Sequence, residues 1–243
     1  LEIWAKGDHI KIRLNEELVA DVHDKTTDRG RIGFQIHQGD QFNPMKIWVR
    51  DMRIRPLDRK KKKCNWRSLF NGKNLQGWDE IGKAAWTVED GMLVGRQGEN
   101  QAPGDLLTVK DYDDFLLRLA YKVQWPANTG VWFRYQSADV AYQADILEYR
   151  DPVAWSGTLY CTGKMFLAVN EDESLVNREG WNTMEILAKG DHIRIRLNEH
   201  LVADVHDDTS GRGKIGFQVH QGDQFATMEV IARDVRLLPL GEH

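Results

Sequence analysis

The chain carries a long internal repeat, which limits its fold more than any other feature. Residues 1–57 align without a gap onto residues 184–240 at a constant offset of 183, and 39 of the 57 aligned positions are identical. The period is too long and the copies too few for a solenoid, in which units of about 20–50 residues recur many times. The pattern indicates tandem domain duplication. We therefore predict a truncated C-terminal part of one copy in residues 1–57 and a complete domain in residues 65–240.

A basic segment joins the two copies. Residues 58–64 contain an arginine followed by four lysines. One interpretation is a contact with nucleic acid or anionic lipid. The other, which we favour, is a solvated linker, because a run of like charges repels itself and suits an exposed connection. A formal net charge of −4 gives the chain no general attraction to nucleic acid.

Length and hydropathy set further limits. The chain has 243 residues, of which 41% are hydrophobic, and this is enough to bury a core. No apolar run approaches about 18 residues, so we expect no membrane span. Two cysteines, Cys64 and Cys161, cannot form a disulfide framework, and we expect free thiols. The first residues follow a strand pattern and show no signal peptide.

An alternation with a period of two dominates the repeated segment. Apolar and polar residues alternate from Ile193 to Leu197, which places one strand face on a core and the other in water. Gly190-Asp191 and Asn198-Glu199 are tight-turn signals on either side. Turn residues recur about every ten positions, with hardly any helical periodicity. This spacing predicts an all-β fold, a two-sheet antiparallel jelly-roll sandwich with an additional N-terminal repeated β-segment.

Several segments resemble the motifs of one family. In chain order these are NWRSLFNGKNLQGW at 65–78, WTVEDG at 86–91, TGVWFR at 129–134, YQADILE at 142–148, SGTLY at 156–160, GWNTMEI at 180–186 and GKIGFQVH at 213–220. They resemble the 3-keto-disaccharide hydrolase domain family, and residues 1–57 resemble its C-terminal part alone. The resemblance implies a concanavalin A-like lectin/glucanase jelly roll in a secreted or periplasmic protein.

The resemblance also implies a carbohydrate substrate that is oxidised at C3. The ketone acidifies the hydrogen at C2, so a base can remove it; the oxygen at C1 then leaves by elimination, and water adds back. Such a reaction needs a base, an acid and a group that stabilises the enediolate oxygen. It does not need the paired carboxylates of ordinary glycosidases. We expect no cofactor and no catalytic metal, and nothing in the sequence indicates a structural calcium.

The alternation of side chains along three strands selects one polar face. The candidates on this face are Trp132, Arg134, Gln143, Asp145, Gln218 and His220. We predict that His220 and Asp145 form an acid/base pair and that Arg134 is a further catalytic group. Gln143 and Gln218 would contact the sugar, and Trp132 would be either a platform on which the sugar stacks or an aromatic residue at the rim of the groove.

Some candidates have a second interpretation. Arg134 would pair with Asp145 across neighbouring strands in a purely structural role, and His220 would be a surface residue at a strand end. Compared with the family, Gln143 replaces a glutamate and Asp145 replaces a glutamine, so the carboxylate has moved two positions along the same face.

Three further residues extend the predicted site. Glu148 occupies the family's aspartate position with the opposite parity, which a β-bulge would have to correct. Tyr160 and Lys164 would close one end of the groove, although a solvated strand edge is an equal interpretation for Lys164.

We therefore expect an enzyme that cleaves 3-keto-glycosides. The alternatives are a non-catalytic glycan-binding module of a larger tandem protein and a purely structural assembly domain. About five strands with one apolar face cannot close a sandwich. Residues 1–57 are therefore expected to self-associate by strand exchange or to bind an upstream fragment. His37, the counterpart of His220, would be inert alone.

Overall fold

The computed structural model describes residues 1–27, 29–37, 39, 45–49, 52–55, 57 and 65–241. The chain divides into two compact units, Leu1–Lys63 and Cys64–His243. The predicted basic linker, residues 58–64 with Cys64, lies outside the described residues. Among the residues that the structure describes, no helix is long and apolar enough to cross a membrane.

The second unit is built from β-strands. They are β4 (Arg67–Ser68), β5 (Trp78–Gly82), β6 (Ala85–Glu89), β7 (Met92–Arg96), β8 (Gly104–Thr108), β9 (Phe115–Gln124), β10 (Asn128–Ser137), β11 (Val140–Arg150), β12 (Val153–Cys161), β13 (Met165–Asn170), β14 (Asn182–Lys189), β15 (His192–Leu197), β16 (His200–His206), β17 (Lys214–Val219) and β18 (Glu229–Pro239). Three short 3-10 helices occur at Glu99–Gln101, Glu173–Leu175 and Asp223–Phe225.

These strands form two antiparallel sheets. The seven-stranded sheet has the order β13-β12-β11-β10-β17-β8-β5. The eight-stranded sheet has the order β16-β15-β14-β9-β18-β7-β6, with β4 paired to β18. This architecture confirms the predicted all-β jelly-roll sandwich. Since β17 and β18 insert between strands from earlier in the domain, the C-terminal third completes both sheets.

The core lies between the two sheets and follows the predicted alternation. Val131 and Phe133 in β10 and Ile193 and Ile195 in β15 are fully buried. The turn after β15 has left-handed φ values at both Asn198 and Glu199, 47° and 72°, as a type I′ hairpin requires. Cys161 is a buried free thiol, as predicted.

The first unit contains a three-stranded sheet. Strands β1 (Glu2–Lys6), β2 (His9–Leu14) and β3 (Glu17–His23) pair in that order and repeat the pairing of β14, β15 and β16. The expectation of about five strands is wrong, because described residues 29–37 and 45–49 form no strand. Their counterparts β17 and β18 pair with β8, β10, β7 and β9. Residues 1–57 contain no counterpart of those partners, so the ladder hydrogen bonds of a strand cannot form.

Candidate functional site

The outer face of the seven-stranded sheet carries six predicted residues. They are Trp132, Gln143, Asp145, Tyr160, Gln218 and, directly after β17, His220. The strand register brings the first five together: Trp132 lies opposite Gln143, and Gly130 lies opposite both Asp145 and Gln218. The Gln143 Nε2 donates a hydrogen bond of 3.2 Å to the Gln218 Oε1 across the space above Gly130. The predicted shared face is therefore present.

Asp105 is a site residue that the sequence reasoning missed. It lies in β8 directly opposite Gln218 in β17, and its Oδ1 accepts a hydrogen bond of 2.8 Å from the Trp132 Nε1. Burial raises the pKa of the Asp105 carboxyl, while the Trp132 hydrogen bond and the charge of His220 act in the opposite direction. Asp105 is a polar residue next to buried Leu106. Once β8 is recognised as a strand, this alternation places Asp105 on the outer face.

His220 and Asp105 share one open cleft. The cleft has a volume of about 340 Å³, and its lining includes Gly104, Asp105, Gln218 and His220. The Nδ1 of His220 lies 2.7 Å from the carbonyl oxygen of Gln221. A ring nitrogen this close to a carbonyl carries the hydrogen, so Nε2 is the nitrogen that can exchange a proton with a ligand. The cleft thus combines a carboxylate and an imidazole.

Asp145 lies deeper in the same face, at 3% exposure. Burial raises the pKa of its carboxyl well above the ordinary value, which favours the protonated form. A protonated carboxyl is a hydrogen-bond donor. The charge of His220 acts on Asp105 and is not among the causes that shift the pKa of Asp145. His220 lines the same cleft as Asp105, whereas Asp145 is not among the residues that line this cleft. The pairing of His220 with Asp145 stays a prediction.

Trp132 is a wall of the site and not an open platform for sugar stacking. It is buried and packs edge-on against Tyr135 and Tyr160, with ring centroids 5.6 Å and 6.4 Å away. These aromatic rings, together with Leu107 and Ala141, form a second small hydrophobic cluster on the outer face. The one polar side-chain atom of Trp132, Nε1, already donates a hydrogen bond to Asp105. Trp132 therefore positions the Asp105 carboxylate.

Arg134 does not lie on this face, contrary to the prediction. A β-bulge interrupts the register of β10 after Phe133, and Arg134 has a left-handed φ of 48°. These two features break the alternation and bury the side chain completely. Its guanidinium donates hydrogen bonds of 2.6–3.2 Å to the carbonyl oxygens of Asp113, Gly190 and Ser210 and to the Asp114 carboxylate. Asp114 precedes β9 and Gly190 joins β14 to β15, so Arg134 of the seven-stranded sheet is bonded to the eight-stranded sheet. The alternative interpretation, a pair between Arg134 and Asp145, is therefore also wrong.

Glu148 keeps the parity opposite to Asp145. The register between β11 and β12 is continuous from Ala144 to Glu148, so no bulge turns its side chain towards the site. Its carboxylate forms ion pairs with Arg150 and Arg178 instead. The prediction of Glu148 as a catalytic residue therefore finds no support in the geometry.

Lys164 is also placed elsewhere. Its Nζ lies 2.7 Å from the Asp207 Oδ2. Asp207 in turn accepts a hydrogen bond of 2.7 Å from the hydroxyl of Tyr142, a residue of the core face. Lys164 is thus held at the strand edge, as its second interpretation stated, and does not close the groove.

A larger cavity of about 440 Å³ lies at the eight-stranded sheet beside Arg233, Asp234 and Arg236. It contains none of the predicted residues, and Asp234 is already paired with Arg236 at 2.7 Å. We place the candidate site in the smaller cleft because both a carboxylate and an imidazole line it. Within the described ranges, no cluster of three or more His, Cys, Asp or Glu side chains is arranged to hold a metal ion.

Comparison with known proteins identifies the family. A family model for a 3-keto-alpha-glucoside-1,2-lyase-like domain matches residues 65–238. A 3-keto-disaccharide hydrolase of Bacteroides thetaiotaomicron is 30% identical over 75 residues, which cover 27% of this chain and 26% of that protein. The match thus spans about a quarter of the curated relative's length.

Two solved structures resemble the fold. A candidate glycosyl hydrolase from Parabacteroides distasonis has a TM-score of 0.57 at 21% identity, over 76% of this chain and 98% of that chain. A protein with a galectin-like fold from Bacillus subtilis has a TM-score of 0.53 at 15% identity, over 68% and 90%. At these identities the likeness shows the fold alone. The family match, by contrast, covers the complete sandwich, and the chain belongs to the 3-keto-alpha-glucoside-1,2-lyase-like domain family.

Proposed function

We propose that the complete sandwich cleaves 3-keto-glycosides by elimination and hydration, with Asp105 as base and His220 as acid. The observation that carries this proposal is the carboxylate and the imidazole in one open cleft, with the Asp105 carboxylate oriented by Trp132. Family membership supports 3-keto-glycosides as the substrate class. The cleft volume of about 340 Å³ lies at the lower end of the range of about 300–1,000 Å³ for ligand sites.

The first step removes the proton at C2 of the sugar. The Asp105 carboxylate takes this proton, and the C–H electrons form the double bond of an enediolate between C2 and C3. Burial makes Asp105 a stronger base than an exposed aspartate, because it raises the pKa of the carboxyl. The oxygen at C3 carries the developing negative charge.

Two donors on the same face are suited to stabilise that oxygen. Burial favours the protonated form of the Asp145 carboxyl, and that form is a hydrogen-bond donor. The Gln143 amide lies beside it in β11. Donors fixed by a sheet need no reorganisation during the reaction, which makes them effective stabilisers of an oxyanion.

Elimination and hydration complete the reaction. The enediolate electrons reform the ketone at C3, a double bond forms between C1 and C2, and the C1–O bond breaks. Protonated His220 donates its proton to the departing oxygen. Neutral His220 then takes a proton from water and the resulting hydroxide adds to C1. The proton on Asp105 exchanges with solvent in the open cleft, and Asp105 then donates a proton to C2. Both groups end in their starting states, and the net reaction consumes one water.

The test uses the full chain with a 3-keto-disaccharide and, separately, its unoxidised parent, in water and in D2O. We expect release of reducing sugar from the keto substrate alone, with solvent deuterium at C2 of the product above that of an enzyme-free sample. Direct hydrolysis leaves the C2 hydrogen in place. Turnover without deuterium at C2 contradicts the mechanism, and absence of turnover contradicts the proposed function.

Matched variants assign the two roles. Asp105→Asn and His220→Ala are each expected to lower kcat about 100-fold or more. Asp90→Asn and His200→Ala make the same chemical changes at the β6–β7 turn and in β16 of the eight-stranded sheet, and they should leave kcat unchanged. Equal loss in all four variants would assign the effect to the fold.

A glycan-binding module is the second candidate. The hydrogen-bonded amides of Gln143 and Gln218 are groups that recognise sugar hydroxyls without any reaction. This candidate predicts equal affinity for the keto-disaccharide and its parent by calorimetry, without turnover of either. Preference for the keto sugar with turnover favours the enzyme.

A further inference from the structure

The first copy exposes apolar side chains that the second copy buries. Ile32, Phe34 and Ile36 are each between 62% and 70% exposed, whereas their counterparts in β17 are at most 1% exposed. Ile54 is 77% exposed, and its counterpart Leu237 is fully buried. The three residues at 32, 34 and 36 keep the period of two that forms one strand face. A contiguous exposed apolar face of this kind marks a surface that another polypeptide covers.

Two glycines of the first copy point to what covers this face. In the complete sandwich, a Cβ at Gly216 would lie less than 3.0 Å from the Leu106 carbonyl oxygen in β8, a distance that real Cβ atoms do not show. A Cβ at Gly213 would lie 2.5 Å from the carbonyl oxygen of Tyr135 in β10.

The counterparts of these glycines, Gly33 and Gly30, have nothing within 4 Å of such a Cβ, and neither has a left-handed φ. Glycine at both positions is thus required only when strands equivalent to β8 and β10 are present.

Exchange between copies of residues 1–243 cannot supply those strands. Residues 1–243 carry the C-terminal strand set twice, in residues 1–57 and 184–240, but the earlier strands of the sandwich only once. Any exchange that completes a sandwich around residues 1–57 therefore releases residues 184–240 of the other chain. The number of C-terminal strand sets without a complete sandwich stays the same.

We infer that residues 1–57 are a docking surface for a polypeptide homologous to residues 65–183, which supplies the equivalents of β5 to β13 and completes a second sandwich. Strands of this partner would hydrogen-bond to residues 31–36, and its apolar inner faces would cover Ile32, Phe34 and Ile36. The partner is recognised by strand pairing together with apolar burial, the combination that holds β17 between β8 and β10.

The test joins residues 65–183 directly to Leu1, which aligns with Met184, and leaves residues 1–243 unchanged. Hydrogen exchange at residues 31–36 is measured in this extended chain and in the 1–243 chain. We expect exchange to slow at least about 100-fold in the extended chain, because strand hydrogen bonds then close at these amides. Unchanged exchange rates at residues 31–36 would overturn the inference.

Two substitutions separate specific docking from general crowding. Ile32→Asp and Gly33→Val should each abolish the slowed exchange in the extended chain. In the 1–243 chain both should leave thermal unfolding unchanged, since neither position is packed. Retained slow exchange in the substituted extended chain would contradict the inference.

Sedimentation of the 1–243 chain tests the competing occupant, a second copy. A concentration-dependent dimer in which residues 31–36 already exchange slowly would overturn the inference in favour of self-association. A monomer with fast exchange at these residues supports it.

Discussion

The Trp132 indole nitrogen donates a hydrogen bond to the carboxylate of the proposed base, Asp105. Its hydrogen bond stabilises the ionised Asp105 carboxylate, while burial acts against ionisation. The pKa of Asp105 is thus raised by burial and lowered by the Trp132 hydrogen bond and by the charge of His220. Trp132 acts through Asp105 and is a positioning residue.

Trp132→Phe should move the acidic limb of the kcat/KM profile to higher pH by about one unit. The indole hydrogen bond lowers the pKa of Asp105, so its loss raises that pKa. A higher pH is then needed to ionise the base. The measurement is turnover of a 3-keto-disaccharide between pH 4 and pH 9. Trp66→Phe, which removes an indole that lies under Arg118 of the eight-stranded sheet, is the control. An acidic limb that stays in place would contradict the role of Trp132.

Asp145→Asn should stabilise the protein at pH 7 and lower its activity. The folded protein holds a proton on Asp145 at pH values where the unfolded chain has released it, because burial raises the pKa of this carboxyl. Stability therefore falls with rising pH, by about 1.4 kcal/mol per unit between the unfolded and the folded pKa. Asparagine has no proton to release. The variant should therefore have a higher free energy of unfolding in urea than the parent at pH 7, and the difference should disappear near pH 3.

A variant that is less stable than the parent at pH 7 would show that Asp145 is ionised in the fold. A gain in stability together with unchanged kcat would remove Asp145 from the proposed stabilisation of the enediolate.

The bulge in β10 gives this strand two functions. Up to Phe133 the strand alternates regularly and presents Trp132 to the site. Beyond the bulge, Arg134 enters the fold and bonds to segments that flank β9, β14 and β15. One strand thus supports the site on one side and joins the two sheets at its end.

Arg134→Met should lower the free energy of unfolding by about 3–5 kcal/mol, since it removes the buried guanidinium that pairs with Asp114 and bonds to the carbonyl oxygens of Asp113, Gly190 and Ser210. Arg134→Lys keeps the charge but loses the planar guanidinium. Its free energy of unfolding should therefore lie between those of the parent protein and Arg134→Met. Urea unfolding measures both. Lys164→Met, at an exposed ion pair, should change little. A stable, inactive Arg134→Met would instead support the catalytic role that the sequence had suggested.

The two units have separate roles in the proposed function. Every residue of the candidate site lies in residues 65–240, and the sandwich there contains all strands that support it. A chain of residues 65–243 should therefore keep the kcat and KM of the full chain, as measured by release of reducing sugar. Loss of activity on removal of residues 1–64 would mean that the first unit contributes to the site.

Alternation along a strand is a local property, and local properties were predictable. The period of two placed Trp132, Gln143 and Gln218 on one face, because side chains of a strand alternate whatever the strand pairs with. The Asn198-Glu199 turn was predictable for the same reason, since its backbone preference lies within two residues. Most of the sandwich and about half of the candidate site follow from such patterns.

Long-range pairing decided the rest. Asp105 and His220 line one cleft because β8 pairs with β17, more than a hundred positions further along the chain, and no local pattern contains that partner. Arg134 is buried because a bulge breaks the alternation that its neighbours obey. Residues 31–36 have nearly the sequence of β17 and yet form no strand, because a strand needs hydrogen-bonding neighbours that residues 1–57 do not contain. The same residues thus have one propensity in both copies, and the contacts of the whole fold determine whether it is realised.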